Sequence, residues 1–257
     1  MKIGIIAGIH EDIIRLEEAL DLLSKKGCSD FVCLGDIVGY SVPYYGYPSS
    51  RSAHECIQLV RERCKYVVAG NHDLFFAKKV PQVSLFDYPQ KWYEMDYAQR
   101  KSIAHDTLWL YENDLPPRLT FEDIEYLKTL PEYQILQFDK IKVLFTHYIY
   151  PNLVGDSRNF TLTNNGPNQH LQFMRKYSCD AAFFSHDLFD NLEVFGEGEV
   201  RYLRFGKYRL SKFPVAIKGP WVANGTASNG VLLFDASILE VEAIALNTPP
   251  HKIPAWL

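Results

Sequence analysis

The sequence predicts an α/β fold in which two mixed β-sheets pack as a sandwich flanked by helices. In the first part of the chain, apolar strand-like runs alternate with amphipathic helical patterns. In the last third, runs such as Val231-Leu232-Leu233-Phe234 follow one another without intervening helices, which is typical of antiparallel strands. A change from β-α to β-β connections is expected for two packed sheets with helical outer layers. With 257 residues, 47% of them apolar, we expect a single domain spanning residues 1–257.

The first part of the chain predicts a β-α-β order. After a strand at Lys2–Ala7, Asp12 is placed to cap a helix whose apolar residues recur every three or four positions, and Gly27 to end it. His54–Arg63 is predicted to be the second helix. The other strands expected here are Asp30–Leu34 and Lys65–Ala69.

An aromatic-rich insertion is predicted at about residues 74–117. It contains four prolines and a helical pattern over Trp92–Leu110. Connections of this length are uncommon in compact domains unless they have a function. We therefore expect the insertion to cover one side of the functional site.

The remaining elements follow in order. Thr120 is placed to cap a helix at Phe121–Leu130, and Pro167–Arg175 is predicted to be a further helix with Pro167 in its first turn. Antiparallel strands are expected from Asn191 onward, and the tail from Pro249 to Leu257 is expected to be irregular. Between these helices lie a hairpin at Glu132–Thr146, turning at Asp139-Lys140, and a strand at Asp180–Ser185.

Short polar clusters follow five of the predicted strands. In α/β folds, ligands bind outside the carboxyl ends of parallel strands, so these clusters are expected to converge. They supply a carboxylate, an amide oxygen and several imidazoles, a set that suits Mn²⁺, Fe²⁺, Zn²⁺, Co²⁺ or Ni²⁺ better than Ca²⁺. The clusters are Gly8-Ile9-His10, Gly35-Asp36, Gly70-Asn71-His72-Asp73, His147 and His186.

The order of these clusters resembles the motifs of calcineurin-like metallophosphoesterases of the small bacterial and archaeal kind. That family has Asp-x-His, Gly-Asp-x-x-Gly, Gly-Asn-His-Asp/Glu, a lone His and Gly-His-x-His. The resemblance implies metal-dependent hydrolysis of small phosphate esters at a two-ion site. The matching segments here are Gly8-Ile9-His10, Gly35-Asp36-Ile37-Val38-Gly39, Gly70-Asn71-His72-Asp73, His147 and Ser185-His186-Asp187-Leu188.

Two positions depart from the family pattern, because Gly8 replaces the first Asp and Leu188 replaces the last His. Both losses fall on the first ion, which keeps only His10 and a share of Asp36. We therefore expect one ion, with two as the alternative if a nearby carboxylate replaces a lost ligand. The resemblance assigns the second ion to Asp36, Asn71, His147 and His186. The candidate replacement carboxylates are Glu11, Asp12, Asp187 and Asp190.

The resemblance also implies catalytic roles for His72, Asp73 and His10. His72 would protonate the leaving alkoxide, because a neutral alcohol leaves more readily than its anion. Asp73 would fix that ring or its loop, and His10 would donate a hydrogen bond to the phosphate. Loss of one ion is expected to lower the rate by roughly two to four orders of magnitude.

The composition of the chain limits the classes of partner that we expect it to bind. The net charge of −4 argues against a dedicated nucleic-acid surface, so we expect a small phosphorylated substrate or ligand and no nucleic acid. The five cysteines show no CxxC spacing and are expected to be reduced and mostly buried. No basic-then-apolar leader or apolar run near 18 residues occurs, which predicts a cytoplasmic protein without a membrane segment.

Several further residues have two interpretations. The tyrosines of Ser41–Pro48 could stack on a substrate ring or pack on their own domain, and Arg158 could pair with a phosphate or remain solvated. Asn224-Gly225 is expected to turn the chain. The isolated histidines are interpreted as surface or structural residues: His54, His105, His170 and His251.

Three functions are compatible with this sequence. The expected one is a metal-dependent phosphoesterase acting on a phosphomonoester or phosphodiester, slowly if one ion is missing. The alternative is a pseudoenzyme that binds phosphate or nucleotides without turnover. The third is a partner-binding protein in which a metal only holds loops in place.

Overall fold

The computed structural model describes residues 1–42, 44–158, 160, 166–187, 192–196 and 199–253. These residues form two six-stranded sheets and one two-stranded ribbon. The strands are β1 Lys2–Ile6, β2 Asp30–Cys33, β3 Tyr40–Ser41, β4 Tyr66–Val67, β5 Asp114–Leu115, β6 Tyr133–Phe138, β7 Ile141–Thr146, β8 Ala181–Phe184, β9 Leu192–Gly196, β10 Glu199–Leu203, β11 Gly206–Arg209, β12 Val215–Lys218, β13 Gly230–Asp235 and β14 Glu240–Ala245. The helices are α1 Ile13–Lys25, α2 Ala53–Arg63, α3 Asn71–Phe76, α4 Tyr97–Ala104, α5 Phe121–Thr129 and α6 Gly166–Lys176, with a 3₁₀ turn at Trp92–Glu94.

Both sheets are mixed. The first has the order β11-β14-β13-β1-β2-β4, in which β1, β2 and β4 are parallel and β13 runs antiparallel beside β1. The second has the order β10-β9-β12-β8-β7-β6, with β7, β8 and β12 parallel. The ribbon joins β3 to β5, pairing Ser41 with Asp114.

The sheets and helices form four layers. An apolar core that includes Ile5, Phe145 and Phe183 lies between the two sheets. The outer face of the first sheet packs against α1, α2 and α5, and that of the second packs against α6. The predicted sandwich flanked by helices is therefore confirmed.

The predicted helix signals act where expected. The Asp12 carboxylate accepts a hydrogen bond from the backbone N–H of Arg15 at 3.1 Å and so caps α1. Leu16, Leu20 and Leu23 of this helix are buried against the sheet. Thr120 caps α5 in the same way.

No helix in the described part of the chain is long and apolar enough to cross a membrane.

Two local predictions were wrong. The pattern over Trp92–Leu110 yields only the 3₁₀ turn and α4, because His105 adopts a left-handed backbone conformation with φ 44° and ends the helix. The strand predicted at Lys65–Ala69 shortens to β4, two residues long, and the chain then enters α3 at Asn71. Residues 249–253 of the predicted irregular tail form no helix or strand, and residues 254–257 lie outside the described part of the chain.

Candidate metal centre and substrate cleft

Four predicted ligands meet where the two sheets present the carboxyl ends of their parallel strands. Asp36 follows β2, Asn71 begins α3, His147 follows β7 and His186 follows β8. Nε2 of His147 lies 3.2 Å from Oδ2 of Asp36 and 3.1 Å from Nδ1 of His186. The sequence separations are large, so only the fold brings these side chains together.

The amide oxygen of Asn71 completes this group. It lies 3.2 Å from Oδ2 of Asp36, from Nε2 of His147 and from Nδ1 of His186. The amide nitrogen points away and donates to the hydroxyl of Tyr111 at 2.9 Å. Turning the amide over would let it donate to its neighbours in the metal-free protein, whereas a cation requires the oxygen to face inward.

The spacing fits a divalent transition metal. Five of the six separations among these four atoms are 3.1 to 3.2 Å. A regular tetrahedron with edges of about 3.2 Å has its centre about 2.0 Å from each corner, close to the usual zinc–nitrogen and zinc–oxygen distances. Two imidazole nitrogens and two oxygens are also a donor set that suits Zn²⁺, Mn²⁺, Fe²⁺, Co²⁺ and Ni²⁺. The residues therefore fit the second ion of the predicted site.

The electrostatics prepare two of these ligands. Burial alone would raise the pKa of Asp36, but the imidazoles of His147 and His72 outweigh it and hold that pKa well below its usual value. Asp36 is therefore a carboxylate. Burial and the neighbouring His147 lower the pKa of His186 to about 4, which leaves its imidazole neutral. An ionised carboxylate and a neutral imidazole are the forms that bind metals.

The backbone holds the imidazoles in place. Nδ1 of His147 lies 2.7 Å from the carbonyl oxygen of Leu34, which fixes the ring and leaves Nε2 for the metal. His186 has a positive φ of 79°, an uncommon conformation for histidine. A side chain at Gly155 would place its Cβ 2.4 Å from the His186 ring, so glycine is needed there.

His10 and His72 form a second group with Asp36. Nδ1 of His10 lies 2.8 Å from the carbonyl oxygen of Gly39, and Nε2 lies 3.8 Å from Oδ2 of Asp36. Burial lowers the pKa of His10 to about 4, so the ring is neutral and its one N–H is directed at Gly39. In this form Nε2 is able to accept a hydrogen bond but not to donate one, whereas the resemblance implied that His10 donates to the phosphate.

An aromatic ring occupies the space beside Gly8, where the family has its first Asp. A Cβ added to Gly8 would lie 2.7 Å from Cγ of Trp221. The Trp221 ring also packs on His10, with centroids 4.9 Å apart. Leu188, the other departure, lies outside the described residues. At the position of the family's first Asp, this structure therefore has an indole ring beside a glycine and no carboxylate.

The nearby carboxylates have other partners. Glu11 accepts from the backbone N–H of Gly39 at 3.2 Å and pairs with Arg51 at 2.9 Å. Asp12 caps α1 and also accepts from the backbone N–H of Asn224 at 3.0 Å. Asp187 accepts from the hydroxyl of Tyr148 at 3.0 Å and lies 3.7 Å from Nζ of Lys218. The remaining candidate, Asp190, lies outside the described residues.

His72 has a carboxylate partner that the sequence did not indicate. Its Nδ1 lies 2.7 Å from Oδ2 of Asp114, which is carried by the ribbon strand β5. Burial would lower the pKa of His72, but Asp36 and Asp114 outweigh it and raise that pKa to about 9. The contact leaves Nε2 as the ring nitrogen available to a substrate.

Asp73 lies beneath the site and supports it. Its carboxylate accepts from the backbone N–H groups of Asp36 at 2.8 Å, Ile37 at 2.9 Å, Val38 at 3.2 Å and Gly70 at 3.0 Å. The side chain is fully buried. Of the two roles expected for Asp73, the geometry matches loop fixation, so we assign it as a positioning residue.

A cleft of about 390 Å³ opens above the metal ligands. Arg158, predicted as a phosphate partner, lines this cleft and lies over the Trp109 ring at 4.7 Å. A larger cavity of about 550 Å³ lies beside Arg51 and Arg118, but it contains none of the metal ligands. The aromatic residues lining the cleft are Tyr44, Tyr45, Trp109, Tyr111 and Trp221.

The tyrosine loop packs on its own domain through two of its side chains and leaves a third in the cleft. Tyr45 and Tyr47 are buried against Tyr40, whereas Tyr44 is 43% exposed and lines the cleft. Pro43 of this loop lies outside the described residues.

Gly225 follows a short turn in which its N–H donates to the carbonyl of Ala223 at 2.9 Å, as expected for a turn at this position.

Sequence reasoning missed Tyr111, Asp114 and Trp221. Tyr111 and Asp114 lie in the insertion and reach Asn71 and His72 across about forty residues of chain, without a periodic pattern. Trp221 lies beyond the last motif. The available signal was the prediction that the insertion covers one side of the site, and its residues 109 and 111–114 do line the cleft.

Comparison with known proteins agrees with this geometry. The family model described as calcineurin-like phosphoesterase matches residues 1–189. The uncharacterized protein MJ0912 of Methanocaldococcus jannaschii is 25% identical over 274 residues, covering 99% of this chain and 95% of that protein.

Solved structures show the same fold. A metallophosphoesterase from Sphaerobacter thermophilus has a TM-score of 0.64 and 18% identity, covering 97% of this chain and 90% of that one. The hypothetical protein PH1004 from Pyrococcus horikoshii OT3 has a TM-score of 0.57 and 16% identity, covering 96% and 88%.

Proposed function

The chain belongs to the calcineurin-like phosphoesterase family, and on this premise we propose that it hydrolyses a small phosphomonoester or phosphodiester with a single divalent ion. Asp36, Asn71, His147 and His186 would hold the ion. The observation that carries the proposal is the convergence of four acceptor atoms, with His147 Nε2 lying 3.1 to 3.2 Å from the other three. Such a group is mutually repulsive unless a cation or proton lies between its members.

When bound, a divalent ion polarises a phosphoryl oxygen and lowers the pKa of a water ligand. The chain's own residues supply the other functions. His72, fixed at Nδ1 by Asp114, donates the proton that the leaving oxygen needs. Neutral His10 presents Nε2 as an acceptor beside Asp36 and orients the attacking water.

The rate should reflect the missing first ion. Two ions about 3.5–4 Å apart stabilise both the attacking and the leaving oxygen, whereas one ion leaves part of that charge unbalanced. We expect hydrolysis roughly two to four orders of magnitude slower than at a two-ion site.

The test combines metal content with turnover. Elemental analysis of the wild type should give one transition metal per chain, and 4-nitrophenyl phosphate and bis(4-nitrophenyl) phosphate should be assayed in added Mn²⁺. His186→Gln should lower metal content and activity together, whereas His105→Asn, at an exposed histidine outside the site, should change neither. Hydrolysis that persists in metal-free wild type would overturn the proposal.

A second candidate is favoured by Trp221, which fills the space beside Gly8. On this alternative the protein binds a phosphate ester or nucleotide without turning it over. Stoichiometric metal and ligand binding, with no hydrolysis of either nitrophenyl ester, would support it over the enzyme.

A further inference from the structure

We infer that the ligand of this cleft combines one phosphate with a planar aromatic ring, as a nucleoside monophosphate does. The inference deepens the proposed function and rests on it for the identity of the ligand as a substrate. Ring recognition itself is argued from the walls of the cleft.

Tyrosine and tryptophan account for five of the fifteen described residues that line the cleft. Trp109 and Tyr44 are each 43% exposed, although both line a concave surface, and therefore retain ring area for a ligand. Tyr45, Tyr111 and Trp221 are less exposed and form the deeper part of the wall. Planar rings stack well on such surfaces, and stacking tolerates different ring types.

The aromatic wall begins at the metal centre. Tyr111 contacts Asn71 through its hydroxyl at 2.9 Å, and its ring centroid lies 4.6 Å from that of His72. On the other side, Trp221 packs on His10. Because metal ligands and rings share one cleft, a phosphate bound at the metal ligands places the rest of its ester against aromatic surfaces.

The charges limit the ligand to a small anion. Arg158 is the sole lysine or arginine among the described residues that line the cleft, and it lies over the Trp109 ring. Glu112 and Asp187 line the same cleft and would repel additional phosphates. A single phosphate next to a neutral ring fits this distribution better than a polyphosphate or a nucleic-acid strand.

Polar side chains are available for the edge of the ring. Ser41 and Asn113 line the cleft together with the aromatic residues. A heterocycle with polar edge atoms can therefore stack on its faces and form hydrogen bonds at its edge, as expected for small-molecule sites with few polar groups among apolar ones.

The experiment compares three phosphate esters, two with a base on the ribose and one without. Adenosine 5′-monophosphate and ribose 5-phosphate have the same primary phosphate ester, and uridine 5′-monophosphate tests a smaller base. Calorimetric binding to the full chain in Mn²⁺ should favour a nucleotide over ribose 5-phosphate by about 5- to 150-fold, the usual effect of stacking one base. Trp109→Ala should reduce that ratio by at least about fivefold.

Phe121→Ala is the matched control, because Phe121 is a 72% exposed aromatic residue that does not line the cleft. It should leave the ratio unchanged. Equal binding of nucleotides and ribose 5-phosphate, or a preference that survives Trp109→Ala, would overturn the inference. Turnover is measured separately. Preferential binding without hydrolysis supports ring recognition while refuting the phosphoesterase. Equal hydrolysis of all three esters supports the phosphoesterase while refuting ring recognition.

Discussion

The hydroxyl of Tyr111 lies 2.9 Å from the amide nitrogen of Asn71 and anchors that amide beside the metal ligands. Asn71 belongs to a family motif, whereas Tyr111 belongs to the insertion. With the hydroxyl as acceptor, the amide oxygen points at Asp36, His147 and His186. Partners of this kind orient metal ligands and tune affinity.

Replacing Tyr111 with Phe should weaken metal binding by about 10- to 100-fold, because the Asn71 amide loses the hydrogen bond that anchors it beside the other ligands. Competition with a chromophoric chelator measures this without any enzyme assay. The control is Tyr93→Phe, which removes another insertion hydroxyl, one that donates to the carbonyl of Lys79 at 3.4 Å. Identical metal affinities in both variants would contradict the assignment.

Asp114→Asn should lower kcat about 10- to 100-fold for alkyl phosphates and much less for 4-nitrophenyl phosphate. The reason is that Asp114 fixes His72, and only a poor leaving group needs the proton that His72 donates. The measurement is the dependence of kcat on leaving-group pKa. Asp106→Asn, an exposed position in the insertion, should retain the wild-type dependence. An equal loss for every leaving group would assign Asp114 a structural role instead.

Gly8→Asp alone should not create a second metal site. The Cβ of the new side chain would lie 2.7 Å from Cγ of Trp221, which is too close. We therefore expect the free energy of unfolding to fall by about 1–3 kcal/mol. Adding Trp221→Ala should recover part of that loss by removing the clash. Urea denaturation and metal content per chain test both points. A fully stable single variant that binds two ions would refute the view that Trp221 fills this space.

Buried His170 should stabilise the folded protein in a way that is lost in acid. Burial lowers its pKa from 6.5 to about 3, and its Nδ1 accepts from the backbone N–H of Tyr150 at 3.0 Å, which only an unprotonated nitrogen can do. Because the folded pKa lies below the unfolded value, the contribution is complete above pH 6.5 and is lost as the pH falls from 6.5 towards 3.

His170→Gln should therefore make stability less dependent on pH over that interval. Urea denaturation at pH 7 and pH 5 measures the difference, and His105→Asn is the control because His105 is an exposed histidine with a positive φ of 44°, which Asn tolerates. The interpretation fails if wild type and His170→Gln lose the same stability between the two pH values.

The framework of the site could be predicted because it depends on local patterns. Apolar runs ending in Asp36, His147 or His186 place polar groups at strand ends, and strand ends converge in any α/β sandwich. The supporting groups could not be predicted. Asp114 and Tyr111 act through contacts about forty residues apart in sequence, and their positions depend on how the insertion folds over the sheets.

The end of helix α4 at His105 could not be predicted from the sequence either. Helical periodicity continued past Ala104, but the left-handed residue His105 ended α4. Periodicity describes which face of a helix is apolar, whereas the end of a helix depends on the conformation of one residue. Of the residues that follow α4, Trp109, Tyr111, Glu112, Asn113 and Asp114 line the site.

The ribbon formed by β3 and β5 has an evolutionary consequence. It joins the segment after Asp36 to a short stretch that contains the partner of Asn71, the partner of His72 and the exposed ring of Trp109. Mutations that alter ligand choice in this stretch would also alter metal loading and proton donation. Selection on one trait therefore acts on all three, so relatives with a different insertion are expected to differ in metal preference as well as in substrate.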